Sequence, residues 1–597
     1  MRNLLQINKF FWKYKWRLLF GALFVVIQNF FRLLVPPQFG KALDVASQCL
    51  VEYRLAPNEE ERQVILDYIS INLMEHGLLV IAFALTMGFF MYMMRKTIIV
   101  VSRLIEYDLR KMIFAHYEAL DSSFYTRNST GDMMSRITED VSKVRMYLGP
   151  GLLYCINLVT LFLLAIYYMY SVSPTLTFYA LLPLPVLSIS IYIVSSFIHK
   201  RSEIIQQQLA KLTTIAQEVY SGIRVVKSYV KEPQFVSYFS RESEEYKENS
   251  MSLARVNALF YPLMLLLVST SILLVVIIGG HEVAKGNITY GNIAEFIIYV
   301  NMLTWPFTAV GWIVSIVQQA DASQGRINEF MNTRPTITNA TDKDLELNGH
   351  VKFDEVTFTY VDSGTTALDQ VSFELRKGEK LGIIGRTASG KSTIAGLLLR
   401  MYDVESGQIL LDGQDITSLN LHQLRQKIGY VPQDAFLFSD TIEKNIAFGK
   451  PDATSEHIKE ITKNAAIHDD IDRLPDQFET MVGERGVTLS GGQKQRISLA
   501  RALIKEPDII ILDDCLSAVD TTTEQTILSY LSGALSDKTA IMITHRIYRH
   551  LTFDKVIVLD EGKIIEQGTP AELIAAKGYY YDILTKQQDE EKAAEYL

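Results

Sequence analysis

The sequence is poor in the residues that mark several protein classes. Its three cysteines, Cys49, Cys155 and Cys515, lie far apart and show neither disulfide nor metal-ligand spacing among the 597 residues. The net charge is −9 and no basic tract stands out, so we expect no nucleic-acid partner. The first apolar run is long and lacks a small-residue cleavage site, so we expect a retained membrane helix and not a cleavable signal peptide.

Long apolar runs fill the first half of the chain instead. A bilayer core needs about 20 apolar residues per helix, and six stretches reach or approach that length. They are 18–39, 77–100, 148–170, 176–198, 259–283 and 293–317. Prolines at 183, 185 and 306 lie inside predicted spans, where neighbouring helices can satisfy the freed backbone groups. The first half therefore predicts an all-α membrane domain of six helices.

Basic residues indicate the orientation of these spans. Lys9, Lys13, Lys15 and Arg17 precede the first span and place the N-terminus in the cytoplasm. The loop at about 46–76 is acidic overall, which suits the outer side, although its role is not readable. The long loops at about 101–147 and 199–256 have basic flanks and should be cytoplasmic, with helices projecting below the membrane.

Four polar residues fall within the predicted spans. Gln28, Asn29 and Arg32 lie in the first span, and Glu295 lies near the outer end of the sixth. Intramembrane polar groups usually face a bundle interior or a wet cavity, which would make these residues part of a substrate pathway. Hydrogen bonding between helices, or snorkelling of Arg32 to the surface, explains them equally well.

A phosphate-binding loop lies in the second half. An apolar run, 381–384, predicts a buried strand before it, and 392–399 predicts a helix after it. Backbone N–H groups at the start of such a helix hold phosphates, Lys391 would reach the outer phosphates, and the hydroxyl of Ser392 would bind Mg²⁺. The pattern of two glycines, Lys and Ser is formed by Gly385, Arg386, Thr387, Ala388, Ser389, Gly390, Lys391, Ser392 and Thr393.

Other strand ends supply candidate catalytic groups. The apolar strand 509–513 ends in Asp513, which can hold Mg²⁺ through water, and Asp514 next to it is the natural general base for an attacking water. His545 follows a strand at 539–544 and could bond the γ-phosphate. Tyr360 ends the strand 351–360, where its ring could stack on an adenine.

With these motifs the chain resembles an ABC transporter half of the exporter type over nearly its whole length. The family's signature pentapeptide matches Leu489, Ser490, Gly491, Gly492 and Gln493. Tyr360 matches its adenine-stacking position, Gln433 the glutamine that joins Mg²⁺ to the water, and His545 its switch histidine. Residues 517–520 match the loop that crosses the dimer interface, and 483–486 the segment that meets the cytoplasmic loops. The helix breaks at 124–131 and 218–222 match the family's coupling helices.

The resemblance implies a fold and a mechanism. The fold is a six-helix transmembrane domain, 1–325 (cytoplasmic loops about 101–147 and 199–256), then a linker, 326–348, an α/β RecA-like ATPase domain with a helical signature subdomain, 349–590, and a tail, 591–597. Two such domains would sandwich two ATP molecules with Mg²⁺. Ser490, Gly491, Gly492 and Gln493 would complete the partner's ATP site. The protein would be a multi-pass protein of a bacterial plasma or inner membrane, surrounded by lipid, with its ATPase domain cytoplasmic.

Two positions depart from the family pattern. The base is normally Glu, and Asp514 is one methylene shorter, which could remove the 10²- to 10⁴-fold that general-base catalysis typically contributes. Ala388 stands where Gly is usual and adds strain if φ is positive there. An intact signature beside a shortened base is typical of one half of a heterodimeric exporter, with one weak and one active ATP site. The alternatives are a homodimer in which Asp514 works, or ATP-gated regulation without pumping.

Overall fold

The structure, a computed structural model, describes residues 3–483, 486, 488–535, 537–548 and 551–595. It divides into two compact units. The first contains Met1–Glu118 and Gly131–Thr333, and the second contains Ala119–Thr130 and Arg334–Leu597. A stretch of twelve residues inside the first predicted cytoplasmic loop therefore groups with the ATPase half.

The first unit is helical throughout its described residues. Its longest helix, Glu232–Ala284, has 53 residues and spans about 80 Å at 1.5 Å per residue, so it extends well past a bilayer core of about 30 Å. Short π-helical turns at Arg95–Ile99, Arg136–Asp140 and Tyr147–Gly151 link neighbouring helices. The helices are Asn8–Lys13, Lys15–Leu33, Val35–Leu55, Glu59–Met94, Val100–Ala119, Thr130–Ser135, Val141–Met146, Leu152–Val172, Pro174–Leu181, Pro183–Ser221, Ile223–Ser228, Glu232–Ala284 and Tyr290–Asn332.

Within the described residues, five helical stretches are long and apolar enough to cross a membrane: Lys15–Leu55, Glu59–Ala119, Thr130–Val172, Glu232–Ala284 and Tyr290–Asn332. The fourth predicted span, 176–198, starts in a shorter apolar helix, Pro174–Val186. Several residues after Val186, among them 187 and 188, have side chains outside the described part of the chain. Along the backbone, the helix Pro174–Leu181 is followed by a helix of 39 residues that begins at Pro183, which lacks an N–H. The six predicted spans thus correspond to five long apolar stretches and to the helical region around Pro183.

At their outer ends, the helices Val35–Leu55 and Tyr290–Asn332 are in close contact. A Cβ placed on Gly291 would lie 2.1 Å from the carbonyl oxygen of Gly40, so only glycine fits there. The Asp44 carboxylate accepts hydrogen bonds from the Gly291 N–H at 2.7 Å and the Thr289 hydroxyl at 2.6 Å. One helix therefore caps the N-terminus of the other.

The second unit has two sheets. A four-stranded antiparallel sheet has the order β2-β1-β4-β5, and a six-stranded sheet has the order β10-β9-β3-β8-β7-β6. Within the larger sheet β9, β3, β8, β7 and β6 are parallel, and β10 is antiparallel to β9. The strands are β1 Val351–Tyr360, β2 Thr365–Leu375, β3 Lys380–Gly385, β4 Ser406–Leu411, β5 Gln414–Asp415, β6 Ile428–Val431, β7 Ile509–Asp513, β8 Thr539–Ile543, β9 Lys555–Asp560 and β10 Lys563–Gly568.

Both faces of the parallel sheet are buried, which explains why β7 and β8 are apolar without alternation. One core contains Ile383, Ile511 and Ile541, and the opposite core contains Ile510 and Leu512. The helices of this unit are Ser122–Arg127, Lys391–Leu398, Leu421–Lys427, Ile442–Ala447, Ser455–Asn464, His468–Asp472, Gly491–Leu503, Thr521–Ala534, Pro570–Ala576 and Tyr579–Glu595. The four from Ile442 to Leu503 form the helical subdomain that bears the signature residues.

Candidate functional site

The carboxyl ends of β3, β8 and β7 lie side by side, because the three strands are parallel neighbours in that order. Ligands of open α/β sheets bind beyond these ends. A cavity of about 330 Å³ is found there. It is lined by Tyr360, Ser363, Thr365, Ala367, Thr387, Ala388, Ser389, Gly390, Lys391, Ser392, Thr393, Gln433, Asp513, Asp514, Ile543 and His545.

The phosphate loop joins β3 to the helix Lys391–Leu398 and is shaped by backbone conformation. Gly390, at the N-cap of this helix, has φ of 99°, and a Cβ there would lie 2.1 Å from the carbonyl oxygen of Ala367. Ala388 has φ of 64°, so this position does need the left-handed region and the alanine is strained. The predicted departure from glycine therefore has a structural cost.

The Lys391 ammonium is buried within this loop. It donates hydrogen bonds to the carbonyl oxygens of Gly385 at 2.9 Å and Arg386 at 2.6 Å. Burial lowers the pKa of Lys391, which the nearby carboxylates of Asp513 and Asp514 oppose. Gly385 and Arg386 thus hold the Lys391 ammonium with their main-chain oxygens, and they are not among the residues that line the cavity.

An unsatisfied polar atom fits a phosphate ligand. The Ser389 hydroxyl oxygen is buried and has no hydrogen-bond partner among the residues that the structure describes. It lies in the loop beside the N-terminus of the helix Lys391–Leu398, where N–H groups favour an anion. A phosphate group here would supply the missing partner.

The two acidic residues of β7 and the turn after it have different surroundings. Asp513 is 2% exposed and bonds to the Ser392 hydroxyl; burial raises its pKa, Ser392 opposes the shift, and Asp514 adds to it. Burial also raises the pKa of Asp514, against the positive groups of His545, Lys391 and Arg546. Asp514 has φ of 45°, a conformation that Asp tolerates better than most residues.

Ser392 and Asp513 form the oxygen-rich pair that Mg²⁺ prefers, and Gln433 lines the same cavity. No group of three or more His, Cys, Asp or Glu side chains suited to a metal occurs in the described part of the chain. The residues fit a Mg²⁺ ion that takes its other ligands from phosphate and water, as is usual for this metal.

Tyr360 stands at the edge of the cavity, at the end of β1. Its hydroxyl lies 3.1 Å from the Thr393 hydroxyl, and its ring packs edge-on against Phe358 and Tyr402. These contacts fix the ring against the helix that follows the phosphate loop. The sequence analysis missed Ser363, Thr365, Ala367 and Ile543; the first three could have been found as the turn and strand that follow Tyr360.

The signature residues are not among those that line this cavity. Ser490 instead caps the helix Gly491–Leu503, in a capping box with Gln493. One turn later, the Gln495 side chain bonds to the Ser517 hydroxyl at 3.3 Å and to the Ala518 N–H at 3.1 Å. The signature helix is thus tied to the loop 517–520. Of the segment 483–486, Glu484 and Arg485 lie outside the described residues.

The short helix Ser122–Arg127 contacts the residues just beyond Tyr360. Arg127 forms an ion pair with Asp362, and the Thr126 hydroxyl bonds to the same carboxylate. Asp121, which caps this helix, also accepts bonds from the backbone and hydroxyl of Thr336. Partial burial of Asp121 opposes ionisation, but these bonds and those from Ser123 and Phe124 outweigh it and lower its pKa to about 2.

Comparison with known proteins agrees with this arrangement. Residues 18–307 match the ABC transporter transmembrane region, and residues 368–517 match the ABC transporter family. The multidrug resistance-like ATP-binding protein MdlA of Escherichia coli is 33% identical over 589 residues, which are 98% of this chain and 97% of that protein. The chain belongs to the ABC transporter family.

Two further relatives define the type of ABC transporter. A probable multidrug resistance ABC transporter ATP-binding/permease protein of Bacillus subtilis is 39% identical over 82% of this chain and 84% of its own length. The structure of a bacterial Atm1-family ABC exporter with ATP bound matches with a TM-score of 0.76 and 26% identity, over 96% of this chain and 98% of that one. This ABC protein is an exporter half: a multi-pass protein of the bacterial plasma membrane with a transport ATPase domain.

Proposed function

We propose that this ABC exporter half works in a heterodimer with a second half, and that the two ATP sites of the pair are unequal. The site on this chain, with Lys391, Ser392, Asp513 and Asp514, hydrolyses ATP slowly. The other site combines the partner's phosphate loop and base with Ser490, Gly491 and Gly492 of this chain, and turns over. The observation that carries the proposal is the side chain of Asp514, which is one methylene shorter than the usual Glu, because a general base must reach the attacking water.

The proposed roles of the site residues follow from their positions. Lys391 and the loop 385–393 hold the phosphates, Tyr360 stacks on the adenine, and His545 bonds the γ-phosphate. Ser392, Gln433 and Asp513 hold Mg²⁺, which neutralises phosphate charge when it is bound. Asp514 accepts the proton of the water, and its shorter side chain makes that step slow.

The separation of the signature from the cavity supports a dimer. Ser490 caps the N-terminus of the helix Gly491–Leu503 and does not line this chain's own cavity. Such a terminus favours an anion. An ATP molecule held by a second ATPase domain would supply the phosphate that binds there. We propose 1–325 as the membrane domain, 326–348 as the linker, 349–590 as the ATPase domain and 591–597 as the tail.

The second cytoplasmic loop also supports a partner. An apolar groove of about 540 Å³ surrounds the turn at Gly222, between the helices Pro183–Ser221 and Glu232–Ala284. Tyr220, Tyr229 and Val236 nearby are each more than 65% exposed, which is unusual for large apolar side chains in a cytoplasmic segment. We propose that Ser122–Arg127 and Ile223–Ser228 are the coupling helices, and that the second of them binds the partner's ATPase domain.

The relatives' names support the class of substrate. Since one is named a probable multidrug resistance transporter and another a multidrug resistance-like protein, we propose that this exporter moves a lipid, drug or other amphipathic molecule. ATP-driven uptake of such a molecule into inverted vesicles, with matching ATP consumption, would test the coupling. Leakage opened by ATP binding without turnover would contradict it.

Purification from native membrane, followed by mass analysis, tests the heterodimer. The expected result is a second ABC half in equal amount, with little ATPase activity from this chain alone. The opposite result is robust ATPase activity from this chain alone, abolished by Asp514→Ala and unchanged by Asp452→Ala. That result would establish a working homodimer instead. Asp452 is a suitable control because it is an exposed aspartate outside the cavity lining.

A further inference from the structure

The first membrane helix carries a cation without a counter-charge. Arg32 lies in Lys15–Leu33, within the predicted span 18–39, and is partly buried. Neither a hydrogen bond nor an ion pair reaches its guanidinium from the residues that the structure describes. Charged side chains in membrane spans are costly and are almost always paired. The described residues of this chain therefore supply no counter-charge for Arg32, and an anionic ligand could supply one.

The acidic groups at the outer end of the same bundle already have other partners. The Glu295 carboxylate accepts bonds from the Tyr299 hydroxyl at 3.1 Å and the Asn292 amide at 3.2 Å. The Asp44 carboxylate caps the helix that begins at Tyr290. Neither carboxylate lies within 4 Å of Arg32, so the positive charge is not neutralised locally.

Gln28 lies one turn before Arg32, on the same helix face. It is 7% exposed, and its amide oxygen is buried without a hydrogen-bond partner in the described structure. Its neighbour Asn29 behaves differently: its amide donates to the Asn157 carbonyl at 3.2 Å and the Thr160 hydroxyl at 2.6 Å. Asn29 thus holds two helices together, whereas the Gln28 amide oxygen has no partner. With the oxygen and nitrogen of this amide exchanged, its N–H groups would be the ones available to a ligand beside the guanidinium.

An aromatic surface runs from this region toward the cytoplasm. Tyr154 packs against a small core cluster that includes Val25, a residue one turn before Gln28. The Tyr154 ring lies 5.4 Å from those of both Trp305 and Trp312. The two tryptophans are 49% and 44% exposed. Such rings offer a large apolar area at low entropic cost.

A cavity of about 180 Å³ adjoins Trp312 at the inner end of this surface. It is lined by Lys143, Met146, Trp312, Ser315, Ile316 and Gln319. The Lys143 side chain is 40% exposed, and its ammonium lies 3.9 Å from the Glu139 carboxylate, which is too far for a hydrogen bond. The bundle therefore has a cation, Lys143, and the aromatic surface at its inner end. A second cation, Arg32, lies further along the predicted membrane span.

We infer that Arg32 and Gln28 bind the acidic headgroup of an amphipathic substrate, whose apolar body lies along Tyr154, Trp305 and Trp312. This inference rests on the proposed transport function and names its substrate class: a molecule with one carboxylate or phosphate-like anion and an apolar tail. A guanidinium binds both anions with two parallel bonds. An anionic phospholipid has the same headgroup chemistry, so the test must separate lipid from substrate.

Ligand binding measured without ATP tests this inference independently of the proposed transport function. The intact transporter in phosphatidylcholine nanodiscs is titrated with 11-(dansylamino)undecanoate and with its neutral methyl ester, and energy transfer from tryptophan reports binding. We expect the wild type to bind the carboxylate more tightly than the ester. Arg32→Gln should weaken binding of the carboxylate about tenfold or more, because a hydrogen bond to a charged group contributes that factor to affinity. The ester should bind both proteins equally. Arg32→Lys should retain part of the preference, and Arg17→Gln, an exposed residue of the same helix, should retain all of it.

Several outcomes would overturn the inference. Equal binding of carboxylate and ester to the wild type, or an unchanged preference in Arg32→Gln, would do so. If Arg32→Gln breaks the assembly on size exclusion, Gln28→Leu decides: an intact complex with the preference unchanged also overturns it. Displacement of the carboxylate by added phosphatidylglycerol would assign the site to lipid and not to substrate. Selective binding without any ATP-driven transport would contradict only the proposed function.

Discussion

At the scale of single residues, the ATP site depends on its backbone as well as on its side chains. Ala388 and Asp514 have positive φ, and main-chain oxygens hold the Lys391 ammonium. The spacing of residue types predicts the phosphate loop, Asp513 and Asp514, because strand ends and helix starts carry recognisable residues. It does not predict these backbone features, since they depend on how the loop folds back.

Lengthening the base should increase turnover at this chain's own site. Asp514→Glu extends the carboxylate by one methylene, and we expect ATP hydrolysis at this site to rise about 10- to 100-fold, a part of what a general base typically contributes. The measurement is the ATPase rate of the intact transporter with the partner's base replaced. Asp513→Glu is the control and should lower the rate, because the extra methylene would move the carboxylate away from the Ser392 hydroxyl to which it is bonded. A rate unchanged by Asp514→Glu would contradict the role assigned to length.

With the partner's base replaced, the acid side of the pH profile of ATP hydrolysis should report Asp514. Burial raises the pKa of Asp514, and a base works only when deprotonated, so activity should fall as the pH drops through a value above the ordinary aspartate pKa. Arg546 lowers this pKa and is 60% exposed. Arg546→Gln should therefore move the acid limb of kcat/KM to higher pH. A shift to lower pH, or none, would mean that another group titrates there.

At the scale of elements, apolar runs and turn residues predicted most of the helices and strands. The exception was the fourth span, where a new helix begins at Pro183. The resemblance placed a coupling helix at the break 124–131, but the contact that groups Ser122–Arg127 with the ATPase half needed the structure, because the ion pair of Arg127 with Asp362 joins residues more than 200 positions apart. Contacts so distant in sequence leave no periodic pattern.

The contact between Gly40 and Gly291 should not tolerate a side chain. Gly291→Ala would place a Cβ 2.1 Å from a backbone oxygen, so the helices Val35–Leu55 and Tyr290–Asn332 would have to separate. We expect a loss of about 1–3 kcal/mol in the free energy of unfolding, as for other overpacked sites, measured as a lower midpoint of thermal unfolding in detergent. Gly280→Ala is the matched control: nothing lies within 4 Å of its Cβ position, and alanine favours a helix. Equal midpoints for the two variants would refute the close packing.

At the scale of the whole molecule, the family and the order of membrane and ATPase halves follow from the sequence, and the comparisons confirm them. The pairing of halves does not follow in the same way. One chain presents its phosphate cavity and its signature helix separately. In the dimer that we propose, a second chain completes each site, and this sequence indicates that chain only through the shortened base at Asp514.

The membrane topology can be checked with thiol labelling. In a variant without Cys49, Cys155 and Cys515, Glu60→Cys should react with a membrane-impermeant maleimide added outside intact cells. Val230→Cys, which is 75% exposed in the second cytoplasmic loop, should react only after the membrane is opened. The expectation follows from the basic flanks of the cytoplasmic loops. Labelling of both positions from outside would reverse the orientation or change the number of spans.

The capping of one helix by Asp44 also limits how the exporter can move. Where Gly40 meets Gly291, backbone touches backbone, and two short hydrogen bonds close the contact. Two backbones this close leave no space for either helix to slide along the other, so we expect the helices Val35–Leu55 and Tyr290–Asn332 to move together. An outward opening of the exporter would then form between other spans.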